Sequence, residues 1–270
     1  MEIKDLKKKA RLMRRNVIKM LARAGSGHPG GSLSATDILT CLFFKVLNHK
    51  PDDPKWPDRD RFHMSKGHCC PIWYSVLAET GYFPKKHLDE LRSFGALLQG
   101  HPDVHVPGVD VASGSLGQGL SVALGMALAA RIDKKDYRVY CLMGDGEIQE
   151  GNIWEAAMGA AHFKIDNLCA ILDHNGFQID GSVKEVMEIE PVTDKWKAFG
   201  WNVVDVDGHD IQQLLAAFEE VKKVKGKPSI IVARTVKGKD VSFMENVVGF
   251  HGVAPTKEEE QIALKELADE

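Results

Sequence analysis

The stretch RVYCLMGDGEIQEGNIWEAAMGAAHFKIDNLCAILDHNG, residues 138–176, decides the fold. An apolar run of strand length, a Gly-Asp-Gly turn, the helical segment GNIWEAAMGAAHF and a second apolar run, LCAILD, follow one another. That is the order of a strand, a crossover helix and a parallel strand. Downstream the pattern repeats through a Trp-bearing helical segment, WNVVDV, the periodic IQQLLAAFEEVKKV and SIIVART. Such alternation predicts the α/β class: a doubly wound parallel sheet with helices on both faces.

Upstream, residues 1–137 read differently, as helices separated by long loops: GSGHPGGS, PDDPKWPDRDRF, SKGHCCP, GHPDVHVPG and SGSLGQG. Loops of this length inside a compact domain usually carry function. Leu6, Met13, Val17 and Met20 recur at helical spacing in a basic N-terminal segment, which predicts an amphipathic helix and not a cleavable signal. Asp210, closing Asp207-Gly208-His209-Asp210, is placed to cap the next helix, and Thr256 with Glu259 has capping-box spacing. We expect one domain over residues 1–235, with residues 236–270 a loop and helix packed on it.

The formal net charge of −3 offers no field that would gather nucleic acid or anionic lipid. Neither nucleic acid nor membrane is therefore expected as a partner, and the apolar segment Leu120 to Ala130 is about half the roughly 20 residues of a membrane span. Cys41, Cys69, Cys70, Cys141 and Cys169 lack disulfide-scaffold density, so buried thiols in a reducing cytoplasm are expected. A zinc cluster drawn from His63, His68, Cys69, Cys70 and His101 matches no standard ligand spacing.

Chemistry concentrates at the two strand ends. In open parallel sheets the carboxyl ends of adjacent strands form the ligand crevice, so Asp145 and Asn175 should reach one ion. All-oxygen ligands favour magnesium or calcium. Gly146 leaves its N–H approachable, and the positive end of the following helix suits a phosphate. A carboxylate about 4 Å from a bare phosphate charge would be repelled by roughly 4 kcal/mol at an effective dielectric near 20, and a bridging divalent cation removes that conflict. The bland alternative is a tight strand-to-helix turn with an Asp cap. Gly25-x-Gly27-x-x-Gly30 formally matches a dinucleotide fingerprint, but it follows a helical pattern and contains Pro29.

Gly144-Asp145-Gly146, a 27-residue spacer and then His174-Asn175 resembles the thiamine diphosphate signature, whose usual doublet is Asn-Asn. AGSGHPGGSLS, DRFHMSKGH, GHPD, SGSLGQGLSVALGMA, GDGEIQEGNIWEAA, DHNGFQIDG and GFHG together resemble the transketolase family over nearly the whole chain. The resemblance implies thiamine diphosphate and a divalent metal, Mg2+ or Ca2+, held by Asp145, Asn175 and the Phe177 carbonyl. It implies that His68, Gly146 and Asn175 meet the diphosphate. The Gly114 carbonyl would meet the cofactor's amino group, while Leu116 and Ile179 pack around its thiazolium. His28 and His251 would hold the donor carbonyl oxygen, with His251 also on the cofactor side, and His101 the donor hydroxyl. Histidine suits proton transfer near neutrality. Glu150 is carried over as a cofactor-side residue that, with Glu155, faces the subunit interface.

A complete transketolase has two further domains, one of which supplies the acid for the aminopyrimidine. The resemblance therefore implies the N-terminal subunit of a split transketolase, transferring two-carbon ketol units between sugar phosphates in an α2β2 assembly with a C-terminal partner that carries the pyrimidine-binding domain. The solvated end after Pro255 is expected to be a natural subunit terminus. After His251-Gly252, where some relatives carry a basic residue, this chain has Val253. Half of a deoxyxylulose phosphate synthase-like enzyme or of a sulfo-sugar ketolase, and a noncatalytic cofactor-binding protein, are the alternatives.

Overall fold

The computed structural model describes residues 1–268; the last two residues of the expected 236–270 segment lie outside the described residues. Strands β1 (Arg61–Met64), β2 (Val139–Gly144), β3 (Leu168–His174), β6 (Asn202–Asp207) and β7 (Ser229–Arg234) form one sheet, and β4 (Phe177–Gln178) pairs with β5 (Gly181–Ser182) in a small hairpin. The main sheet is wholly parallel in the order β1-β2-β3-β7-β6. Ten α-helices lie among the described residues: α1 (Ile3–Ala24), α2 (Pro29–Ser34), α3 (Thr36–Cys41), α4 (Cys70–Thr80), α5 (Gly119–Ile132), α6 (Gly151–His162), α7 (Val183–Val186), α8 (Val192–Ala198), α9 (Ile211–Lys223) and α10 (Lys257–Glu266).

The central strands feed two cores by alternation, because successive side chains point to opposite faces. Tyr140, Leu142, Ile171 and Ile231 join Leu6, Ile38, Ile72 and Leu214 of α1, α3, α4 and α9. Val139, Cys141, Met143, Leu172 and Val232 join Leu120, Ile153 and Trp196 of α5, α6 and α8. Strands buried on both faces read as continuous apolar runs, which is why CLM and LCAIL carry no polar alternation. The direction of progress through the sheet reverses after β6, so the crossover helix α9 falls on the face opposite α6 and α8.

Local signals behave as their chemistry dictates. The Asp210 side chain caps α9 by accepting from the Gln212 and Gln213 N–H groups, and Thr256 and Glu259 form a complete capping box on α10. Arg15 of α1 donates to the Leu264 and Leu267 carbonyls and fastens α10 to the domain. All five cysteines are free and buried. Among the described residues no helix is long and apolar enough to cross a membrane.

The helical segment expected after Gly-Asp-Gly is α6, which begins at Gly151. A single 3-10 turn, Glu147–Gln149, intervenes before α6. Glu147 turns inward, its carboxylate accepting from the N–H groups of Gly117 at 3.0 Å and Gly144 at 3.2 Å.

Candidate functional site

Strands β2 and β3 end side by side, with Gly144 paired to Asp173 in register. The residues just beyond, Asp145 and Asn175, therefore emerge at one edge and line the same cavity of about 300 Å3. His28, His68, Gly114, Leu116, Gly146, Phe177, Ile179 and His251 line it too. Four distant loops and two strand tips thus converge on one space.

Asp145 is only 1% exposed. One oxygen accepts from Nδ1 of His174 at 2.7 Å and the other from the Gly176 N–H at 2.6 Å. Burial pushes this carboxyl up from its ordinary range, while the His174 imidazole pulls the other way. Asn175 Oδ1 accepts from the Phe177 N–H at 3.1 Å, a local turn that fixes the amide oxygen at the cavity edge. Gly146 is tight because a Cβ there would stand 2.9 Å from Gln178 Cβ.

Two lysines face this wall. Lys66 is buried and ion-paired with Asp173, and donates to the Gly31 carbonyl at 3.1 Å. Asp173 also accepts from Ser34 Oγ at 2.5 Å and from Thr235 Oγ1. Burial opposes ionisation of Asp173, but the Lys66 ammonium holds its carboxyl below the usual carboxylate range. Lys237 is 2% exposed and forms no carboxylate pair among the described residues. Burial, aided by repulsion from Lys66, lowers its ammonium to about 8.

The three imidazoles of His28, His68 and His251 touch one another, with ring centroids 5.0, 5.3 and 5.6 Å apart. Burial lowers His28 to about 4, with Arg92 adding to the effect, and lowers His251 to about 4, reinforced by Lys237. His68 is driven well below its ordinary value, first by burial and then by Lys66. These rings are neutral at neutral pH. A neutral imidazole offers one N–H donor and one acceptor nitrogen, and desolvation of the charged form is the reason these rings stay neutral. His28 Nδ1 is buried without a partner, a polar atom available to a ligand.

His101 and Glu150 lie outside the cavity wall. His101 is exposed at the rim, its ring packed against Gly114, and Glu150 is exposed beside Gly117. Leu116 and Ile179 flank the mouth with apolar surface, and Ile179 is 61% exposed.

Sequence reasoning missed Lys66, Glu147, Asp173 and Lys237. Asp173 left a signal: a carboxylate within an apolar strand run needs a buried cation or donors. The other three belong to pairs far apart in sequence.

The donor set fits a divalent cation bridging a diphosphate. One buried carboxylate, one amide oxygen and a backbone carbonyl can take part of a hard cation's shell, two lysines can meet phosphate oxygens, and the unpartnered His28 imidazole is left for a further polar group of a ligand. Among the described residues, no three His, Cys, Asp or Glu side chains gather as they would around zinc.

Residues 6–268 match the family described as "Transketolase, thiamine diphosphate binding domain". The chain is 42% identical to one of the subunits of the apulose-4-phosphate transketolase of Phocaeicola vulgatus, over 100% of this chain and 96% of that one. It is 43% identical to the 6-deoxy-6-sulfo-D-fructose transketolase subunit SqwG of a Clostridium species, over 98% and 97% of the two chains. Human transketolase is 40% identical, but this chain spans only 42% of its length. The crystal structure of Campylobacter jejuni transketolase superposes with a TM-score of 0.94 at 35% identity, over 99% of this chain and 43% of that one.

Proposed function

This chain belongs to the transketolase family through its thiamine diphosphate-binding domain, and from that premise we propose that it is the diphosphate-gripping half of a two-chain transketolase. It moves a two-carbon ketol unit from a ketose phosphate to an aldose phosphate when a second polypeptide supplies the pyrimidine-binding domain. Relatives of nearly this length are named as single subunits, which supports a separate partner chain. We extend the proposal to an α2β2 heterotetramer in a reducing cytoplasm, acting in pentose phosphate interconversion.

The observation that carries the reading is the convergence of Asp145 and Asn175 on one cavity also lined by Lys66, Lys237 and three neutral imidazoles. Asp145, Asn175 and the Phe177 carbonyl would hold Mg2+, or Ca2+ in its place. Lys66, His68, Asn175, Lys237 and the Gly146 N–H would meet the diphosphate. The Gly114 carbonyl would accept from the cofactor's amino group, and Leu116 and Ile179 would enclose its thiazolium. Glu150, beside Gly117, would reach the cofactor side from the subunit interface. Thiamine diphosphate, when bound, supplies the electron sink that lets a carbon–carbon bond beside a carbonyl break.

The chain's own contribution is orientation and hydrogen bonding. His28 and His251, neutral at working pH, donate to the donor carbonyl oxygen, and His101 at the rim meets a donor hydroxyl. The buried floor of Asp173, Lys66 and Ser34 fixes the wall that carries Asn175.

Ketol transfer from xylulose 5-phosphate to ribose 5-phosphate would be measured with this chain, its partner, and both, with cofactor and Mg2+ present. Activity should require both chains. Turnover by this chain alone overturns the half-site reading. Apulose 4-phosphate and 6-deoxy-6-sulfo-D-fructose, the ketoses in the relatives' names, belong in the same donor panel.

A further inference from the structure

His174 stands where the related signature usually has asparagine, and its two ring nitrogens are both engaged. Nδ1 faces Asp145 Oδ1 at 2.7 Å and Nε2 faces Glu190 Oε1 at 3.1 Å. Glu190 is itself braced: its other oxygen accepts from the Val192 N–H at 2.7 Å at the start of α8, and Arg234 Nη1 lies 3.6 Å from Oε1. Arg234 forks onto Asp205, with Nε to Oδ1 at 2.9 Å and Nη2 to Oδ2 at 2.8 Å. The line Asp145, His174, Glu190, Arg234, Asp205 thus runs across β2, β3, β7 and β6. Only its first member is a proposed metal ligand.

We propose that His174, held by Glu190, is a positioning residue that fixes the Asp145 carboxylate for octahedral cation binding. The proposal rests on the metal site argued above. Asp145 Oδ2 is tied to the Gly176 N–H, and His174 ties Oδ1, so together they leave the carboxylate one orientation. With His174 removed, a single hydrogen bond remains and the group can swing about it. Carboxylates that bind metals depend on such outer hydrogen bonds, and losing one typically costs 10- to 100-fold in affinity. The loss should also depend on the ion. Mg2+ demands near-ideal octahedral geometry, whereas Ca2+ accepts irregular shells of six to eight oxygens. A loosened Asp145 therefore penalises Mg2+ more than Ca2+.

The test is calorimetric titration of Mg2+ and of Ca2+ into the full chain with thiamine diphosphate present, for the unaltered protein, His174→Ala, His174→Asn, Glu190→Gln and Asp145→Asn. We expect His174→Ala to weaken Mg2+ binding about tenfold and Ca2+ binding less than threefold. His174→Asn, which can still donate to Asp145, should recover much of the Mg2+ affinity. Glu190→Gln should fall between His174→Ala and the unaltered chain. Equal losses for both ions in His174→Ala, or no loss, overturn the inference. Asp145→Asn separates the two ideas: if it binds both ions like the unaltered chain, or if the unaltered chain binds neither, the metal site itself is refuted. If Asp145→Asn loses Mg2+ and His174→Ala does not, only the positioning role fails.

Discussion

Lys237 Nζ lies 2.9 Å from Nδ1 of His251. An ammonium only donates, so Nδ1 accepts and the imidazole proton is on Nε2. One buried cation thereby selects the tautomer of a cavity-lining histidine.

The ordinary lysine value of 10.5 falls to about 8 here. Below that pH the cation is present to meet phosphate oxygens; above it the charge is lost. Diphosphate affinity should therefore decline as pH rises through about 8. A bound anion raises the lysine again, so binding at pH 8 to 9 should take up protons. Calorimetry in buffers of different ionisation heat measures that uptake.

Lys237→Met should separate stability from binding. A lysine whose folded value is depressed binds fewer protons folded than unfolded, so its protonation costs stability below about 8 and that cost fades as pH rises. The variant should melt a few degrees higher at pH 7, yet bind thiamine diphosphate about tenfold more weakly, the scale of a charged hydrogen bond. A lower melting temperature with unchanged affinity would contradict both parts.

Lys66→Met should be strongly destabilising. It leaves Asp173 buried without its cation, a loss of roughly 3–5 kcal/mol. The Asp173 value is depressed, so the pair's contribution is present at neutral pH and lost as pH falls through the carboxylate range. Urea unfolding at pH 7 and at pH 4 should show a smaller pH dependence in the variant. The double substitution Lys66→Met with Asp173→Leu should recover part of the loss.

Asp145→Asn should leave the fold intact. The change preserves volume, and burial already disfavours the carboxylate's charge. Cation-dependent binding of thiamine diphosphate should weaken by more than tenfold, and equilibrium dialysis at varied Mg2+ would check it.

Gly238→Ala should disturb the Lys237 loop. Gly238 has φ near +78°, and a Cβ would overlap the Met244 backbone carbonyl. Its N–H donates to the Gly30 carbonyl at 3.0 Å, joining the loop to α2. We expect a loss of more than about 1 kcal/mol on thermal unfolding, accompanied by weaker diphosphate binding.

Legibility in the sequence followed the range of each interaction. Strand periodicity, the Asp210 cap and the Asp145–Asn175 edge are set by local spacing and the rules of parallel sheets, so one sequence carries them. Lys66 with Asp173 and Lys237 with His251 depend on loops meeting in space, and no local period marks them. The histidines were legible as residues but not as acids, because their protonation is decided by how much water the packed loops exclude. His174 is legible only as a departure from the Asn-Asn doublet, and the folded chain reveals the carboxylate at each of its nitrogens.

Strands β2 and β3 are covered on both faces, whereas β6 at the sheet edge is half open. Opening fluctuations should begin at that edge, leaving amides of β2 and β3 among the slowest to exchange with deuterium. Asp145 and Asn175 directly follow these two buried strands. The Asp145–Asn175 edge of the cavity is then set by the sheet itself, and the surrounding loops can diverge without moving it.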